Sequence, residues 1–233
     1  MKQIKIYGER NSGTNFLERL ISSNCKNIDL LPSSVVSSYG WKHGYPDKCD
    51  AIQEAIIKNK PIGNIIFIFI IRDLEPWLKS MFKNPYHYTI PSSNITDFIR
   101  NPLQINEADE TCVVNTDIRE QQDIISIRNG KIRKYWELFE SSIIKNGIII
   151  NLEKVQKNKG VKLIQLLNNS YHVDIVPTFV PVDTHTKTND TNIVNRKYDD
   201  VVSLPSEIIK EKIDNEVERF VYNLKIKPFI RMV

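Results

Sequence analysis

The sequence predicts an α/β fold: a three-layer α/β/α arrangement around a central, mostly parallel sheet. Three observations predict it. The chain begins with a short strand, Lys2–Tyr7, a tight polar loop, and an amphipathic helix carrying Phe16, Leu17, Leu20 and Ile21 at helical spacing. The run Ile65–Ile71 is apolar throughout, as strands covered on both faces are, and is much too short to span a bilayer. Strand and helix patterns then alternate along the rest of the chain, which implies a sheet with helices on both faces. The 233 residues suit a single domain, 1–233, with a sizeable core, and no internal repeat, heptad run or linker divides them.

After the first helix, Pro32 and several serines mark a polar stretch. Val35–Trp41 reads as a second strand, ending at Lys42-His43-Gly44. Asp47–Asn59 reads as a helix with Ala51, Ile52, Ala55 and Ile56 on one face, stopped by Pro61 and Gly63. The buried strand Ile65–Ile71 ends at Arg72-Asp73. Pro76, tolerated in a first helical turn, leads into a helix over Trp77–Phe82. Between Lys83 and Thr116, Pro85, Pro91 and Pro102 interrupt every pattern; an irregular connection of this length is a lid or a binding loop. A long helix is expected from near Asp117 to about Ile144, with Gly130 as a candidate break. Gly147–Leu152 is another buried strand, and Val161, Leu163, Ile164 and Leu167 mark the helix after it. Pro177–Asp200 has almost no apolar periodicity. Ile208, Ile209, Ile213, Val217, Phe220 and Leu224 form the stripe of one closing helix, Ser206–Leu224.

Composition narrows the function classes. Hydrophobic residues make up 41% and charged residues 26%, both ordinary for a globular protein. A net charge of +4 suits an anionic ligand, but no basic tract is dense enough for a nucleic-acid partner. Cys25, Cys49 and Cys112 form no C-x-x-C pair, and an odd count makes a poor disulfide framework, so a reducing compartment is expected. The N-terminus enters a strand without a charged-then-apolar leader, which points to a cytoplasmic protein with no membrane partner. Asn94-Ile-Thr96 and Asn189-Asp-Thr191 match glycosylation acceptors, read as coincidence in an Asn-rich chain.

The chemistry begins in the loop Gly8-Glu-Arg-Asn-Ser-Gly-Thr-Asn15. A strand, a tight loop and a helix N-terminus form a phosphate cradle, because backbone N–H groups and the helix dipole both favour an anion. The nucleotide-hydrolase form is G-x-x-x-x-G-K-[ST], with Lys on the phosphates and a hydroxyl on magnesium. Gly8 and Gly13 keep the glycine spacing, but Thr14 replaces the Lys and Asn15 the hydroxyl. The loop is therefore expected to hold a phosphate without magnesium, and no metal site is expected. In open parallel sheets, ligands bind beyond the carboxyl ends of the strands. The loop, His43 and Arg72 each follow a strand, so all three are expected on one edge.

Asn11-Ser-Gly-Thr-Asn15 resembles the 5′-phosphosulfate loop of sulfotransferases that use 3′-phosphoadenosine 5′-phosphosulfate (PAPS). The family pattern there is K-[ST]-G-T-[TS], which Ser12, Gly13 and Thr14 match. Arg72 closes the middle strand and Ser80 follows eight positions on, the family's spacing for the pair that binds the 3′-phosphate. An Arg suits that role because its rigid fork matches phosphate oxygens. Trp41-Lys42-His43 is similar to the segment where many sulfotransferases carry a Lys and a general base. Asn195-Arg-Lys-Tyr198, with Leu204-Pro-Ser-Glu and the closing helix, is similar to the end of carbohydrate sulfotransferases, where a basic loop covers the 3′-phosphate.

The resemblance covers essentially the whole chain, on four short motifs. It implies a P-loop nucleoside-triphosphatase-like fold and PAPS as donor. Asn11, Ser12, Gly13, Thr14 and Asn15 would hold the 5′-phosphate, and Arg72, Ser80, Arg196 and Lys197 the 3′-phosphate. His43 would take the proton of an acceptor hydroxyl or amine; the closing segment leans toward a carbohydrate acceptor, the absence of an anchor toward a soluble one, and neither decides. Asn11 stands where the family has its loop Lys, so Arg10 and Lys42 would stabilise the leaving oxygen. Two alternatives stay open: a non-catalytic phosphate-binding module of the same fold, and a nucleotide kinase.

Overall fold

Strands that end level with one another decide where the polar loops of this chain meet. The computed structural model describes residues 1–34, 37–84, 88–89, 94–102, 104–105, 123–183 and 204–232. In chain order the elements are β1 (Lys2–Gly8), α1 (Thr14–Asn24), β2 (Ile28–Leu30), a 3₁₀ turn (Pro46–Lys48), α2 (Asp50–Ile57), β3 (Ile62–Ile71), α3 (Leu74–Lys83), β4 (Tyr88–Thr89), α4 (Ile95–Arg100) and β5 (Gln104–Ile105). There follow α5 (Ile124–Glu140), β6 (Ile144–Asn151), α6 (Leu152–Lys157), α7 (Val161–Tyr171), α8 (Ser206–Lys212), α9 (Asn215–Ile226) and β7 (Phe229–Arg231). The protein is an α/β protein whose five-stranded sheet has the order β2-β1-β3-β6-β7. The first four strands are parallel, and β7 runs antiparallel to β6. β4 and β5 pair as a separate antiparallel ribbon.

The period of two along the strands sorts the core. Ile66, Ile68 and Ile70 of β3 join Ile4 and Ile6 of β1 and Ile148 and Ile150 of β6 against α1 and α7. Ile65, Phe67, Phe69 and Ile71 face the other way, with Tyr7 and Ile149, against α2, α5 and α9. Each of the residues Ile65–Ile71 is at most 3% exposed, and burying one such side chain is worth about 1.5–3 kcal/mol. A third cluster joins α3, α4, α8 and the start of α5 around Trp77, Phe82 and Phe98.

Several expectations need correction. The predicted second strand fails: the described part, Ser37–Trp41, is bend and turn, and the strand beside β1 is Ile28–Leu30. The Ser37 hydroxyl lies 3.0–3.2 Å from Pro32 O, Ser34 O and Gly40 O and donates to one of them at a time, a local bond that competes with a sheet ladder. Val35 and Val36 lie outside the described residues. The predicted closing helix is two helices. Asp214 caps α9 by accepting from the N–H groups of Glu216 and Val217, so the chain turns there although the apolar stripe continues. Gly130 does not interrupt α5, whose described span is Ile124–Glu140; the expected start near Asp117 lies outside the described residues.

Within the irregular stretch, α4 is nucleated by Asn94, whose side chain accepts from Asp97 N at 2.9 Å. That gives the acceptor-like Asn a capping task. Cys25 and Cys49 are buried and unbridged. Among the described residues, no helix is long and apolar enough to cross a membrane.

Candidate functional site

Register sets the site. Gly8 of β1 lies opposite Ile70 of β3, and Ile71 lies opposite Asn151 of β6, so three central parallel strands end at one edge. The segments that leave them carry the loop after Gly8, Arg72-Asp73, and Leu152-Glu153.

The loop is a tight turn, with Ser12 N donating to Glu9 O at 3.0 Å. Both glycines are required by space. A Cβ on Gly8 would stand 2.5 Å from Ser12 Oγ and 2.8 Å from Ile70 O. Gly13 caps α1 with φ 91°, and a Cβ there would meet Leu152 Cδ1 at 2.6 Å. The N-cap residue of α1 is Gly13, which has no side chain to accept from the first-turn amides, and those amides have no intrahelical acceptor. Ser12 is 1% exposed, and among the described residues its hydroxyl has no hydrogen-bond partner. Thr14 is buried and Asn15 exposed.

Asn11 fastens the loop. Its backbone is left-handed at φ 59°, a region that Asn tolerates well. Its amide Nδ2 donates to Asn84 O at 3.0 Å and approaches Ser80 O at 3.5 Å, fastening the loop to the end of α3. Its carbonyl accepts from Arg72 Nη1 at 3.1 Å. Arg72 thus lies on the same rim as the loop, and Ser80 meets the loop through its backbone carbonyl. The Arg72 Nε also bonds Glu153 Oε1 at 3.2 Å.

His43 returns to the same edge. Gly8 N donates to Lys42 O at 2.9 Å, and His43 Nδ1 lies 2.7 Å from Gly8 O. A carbonyl can only accept, so Nδ1 carries the proton and Nε2 the lone pair of the neutral ring. Burial, then the Arg10 guanidinium, hold the imidazole well below its ordinary value, against the opposing bond to Gly8 and with smaller help from Lys42 and Lys131. The ring is therefore neutral at pH 7. Trp41 joins the two candidates: its ring packs edge-on to His43 at 5.0 Å and under the Arg10 guanidinium at 4.4 Å.

Lys42 goes elsewhere. Its Nζ bonds both Glu18 oxygens at 3.0 Å and Asn15 Oδ1 at 2.5 Å, which turns the ammonium onto α1. Arg196 and Lys197 lie outside the described residues, as do Tyr86 and His87.

Sequence reading missed the support beneath the loop. Lys131 of α5 pairs with Glu9 Oε2 at 2.6 Å, with side chains 4% and 7% exposed, while Glu9 Oε1 accepts from Arg10 N at 2.7 Å. One turn earlier on α5, Arg128 is 1% exposed, donates to Arg72 O at 3.1 Å and pairs with Glu218 at 2.5 Å. Trp77 Nε1 donates to Arg10 O at 2.8 Å. The available signal was two cations, Arg128 and Lys131, falling among the apolar positions Ile124, Ile125, Ile127 and Ile132. Beside this support, a cavity of about 570 Å³ opens between Asn129, Gly130 and Arg133 of α5 and the turn from Lys212 to Asn215. Gly130 also abuts Tyr45, since a Cβ there would lie 3.1 Å from its hydroxyl.

The arrangement can bind an anion at the start of α1 and offers a neutral imidazole lone pair near a guanidinium. Among the described residues there is no cluster of three or more His, Cys, Asp or Glu able to hold a metal ion. No family model matches the chain, and no curated protein or solved structure matches it.

Proposed function

We propose that the protein is a PAPS-dependent sulfotransferase with a three-layer, P-loop nucleoside-triphosphatase-like fold. The observation that carries the reading is the Arg72 guanidinium on the carbonyl of Asn11, inside the loop whose sequence suggested a phosphate cradle. The uncapped start of α1 and the orphaned Ser12 hydroxyl support it, because each is a buried or directed polar group suited to an anion.

In this reading the amides of the first turn of α1 hold the 5′-phosphate, and Arg72 and Ser80 face the 3′-phosphate. The bond between sulfur and the bridging oxygen of the donor breaks as a new bond forms from sulfur to the acceptor oxygen. His43 Nε2 takes the acceptor's proton, and 3′,5′-bisphosphoadenosine leaves. A positioned base of this kind contributes roughly 10²–10⁴ in rate. Arg10, held on Trp41 beside His43, supplies positive charge for the leaving oxygen. Lys42, engaged by Glu18, is a weaker candidate for that task than its position in the sequence suggests.

That engagement of Lys42 favours a second reading, a module that binds the nucleotide without transferring the group. Calorimetry with 3′,5′-bisphosphoadenosine tests the site, and transfer from radiolabelled PAPS tests the chemistry. Arg72→Ala should weaken bisphosphoadenosine about 10- to 100-fold, the worth of a charge-assisted hydrogen-bond pair, and leave 5′-adenosine monophosphate nearly unaffected. Equal losses for both nucleotides would contradict the role given to Arg72.

A further inference from the structure

Arg72 already holds an anion, and that anion belongs to the protein. Glu153 Oε1 accepts from Arg72 Nε at 3.2 Å, and Oε2 accepts from the backbone N–H of Asp73, also at 3.2 Å. One carboxylate thus bridges the guanidinium and the amide just ahead of α3. α6 has no need of it as a cap, because Asn151 Oδ1 already accepts from Lys154 N at 3.0 Å. Glu153 instead reaches across from the end of β6 to the end of β3.

The contact is poised to exchange. Charge-assisted N–H···O bonds normally measure about 2.7–2.9 Å, so both bonds here are long. The two side chains are 22% and 29% exposed, which leaves them open to an entering ligand. Arg72 Nη1 is fixed on Asn11 O, and this anchors the guanidinium while its Nε edge trades partners.

We propose that Glu153 is an internal stand-in for the 3′-phosphate, a specificity latch on Arg72. The inference rests on the reading of Arg72 as a phosphate ligand. A nucleotide with a 3′-phosphate brings enough charge to displace a single carboxylate, and its like charge drives Glu153 outward. A nucleotide without it leaves the Arg72–Glu153 pair closed. Glu153 therefore lowers affinity for every anion at Arg72 and sets the threshold that the correct donor passes.

The test is calorimetry on the full chain and on Glu153→Gln, whose amide oxygen can still accept from Arg72 or Asp73. The expected result is bisphosphoadenosine binding at least tenfold tighter in the variant, with 5′-adenosine monophosphate unchanged. Inorganic phosphate, titrated separately, should bind the variant more tightly than the native chain, and Arg72→Ala in the variant background should abolish that gain. If neither protein binds bisphosphoadenosine but the variant gains phosphate through Arg72, the latch stands and the donor assignment falls. If the substitution leaves bisphosphoadenosine and phosphate unchanged, or weakens them, Glu153 merely positions Arg72 and the latch is overturned.

Discussion

Lys131→Met should be among the most damaging single changes in this protein, through an ion pair that no motif contains. Lys131 Nζ and Glu9 Oε2 are 2.6 Å apart, with side chains 4% and 7% exposed. At an effective dielectric of about 20, charges at that separation attract by about 6 kcal/mol before desolvation is counted. Removing the lysine leaves the Glu9 carboxylate buried with the amide of Arg10 as its remaining described donor, and breaking a buried pair from one side costs about 3–5 kcal/mol. In a chain of this size that corresponds to a melting temperature lower by about 6–20 °C. Glu9→Gln combined with Lys131→Met removes both charges and should recover much of the loss, since the uncompensated carboxylate is gone. Urea unfolding of the native chain, both single variants and the double variant measures this as a coupling energy. A cost below about 1 kcal/mol for Lys131→Met, or simple additivity in the double variant, would refute the claim that this pair holds the loop from below.

Four other outcomes follow from the same geometry. His43 has a folded-state pKa well below its ordinary value of about 6.5, so in that window the unfolded chain binds more protons than the folded one. Its contribution is then fully present above about pH 6.5 and is lost as pH falls toward the folded value; His43→Gln should flatten unfolding free energy against pH below about 6.5. His43→Ala should abolish transfer while bisphosphoadenosine binding survives, and a matching loss of binding would give His43 a structural task instead. Gly13→Ala, at φ 91° with Leu152 2.6 Å from the new carbon, should cost about 1–3 kcal/mol in urea unfolding and weaken nucleotide binding with it. Burial pushes Lys5 down to about 8, so between pH 8 and 10 the folded chain sheds a proton that the unfolded chain keeps. Stability should climb across that range, and Lys5→Met should remove the Lys5 part of the slope.

The sequence made the centre of this fold readable and its borders less so. Ile65–Ile71 could be recognised because a strand covered on both faces must be apolar at every position. Gly8 and Gly13 could be recognised because their space is closed to a Cβ, a constraint that leaves only one residue type. The placing of the loop and Arg72 on one edge follows from β1 and β3 ending level, and it needed no side-chain information; His43 reaches that edge without the strand expected before it, through the contacts of Lys42 O and His43 Nδ1 with Gly8. The edge strand Ile28–Leu30 is three residues long and only half-buried, too short to show a period. β7 is equally short and pairs with sequence-distant β6. Asp214 was hidden because Ile213 and Val217 continue the apolar stripe across a capped break. Lys42 looked available beside His43 because nothing in local spacing points to Glu18 as its partner. The same is true of Lys131 and Glu9, where only the fold brings the charges together.

Under the proposed function, those hidden pairings change how a phosphate would be recognised. Arg72 faces Glu153, Arg128 faces Glu218, Lys131 faces Glu9, and Lys42 faces Glu18. Among the described residues these four cations are paired rather than bare, and a modest net charge of +4 is consistent with that. Long-range attraction contributes little when each cation is neutralised within a few ångströms. Affinity has to come from two local sources. One is the set of amides at the start of α1, whose N-cap residue Gly13 has no side chain to accept from them. The other is exchange, in which a ligand phosphate replaces a carboxylate on a guanidinium held in place by the carbonyl of Asn11. Exchange would trade one anion for another on Arg72, so it would favour a ligand that out-competes a carboxylate in both charge and geometry. A phosphate on a ribose held by the loop at its other end would meet that condition, because the loop would fix where the second phosphate arrives.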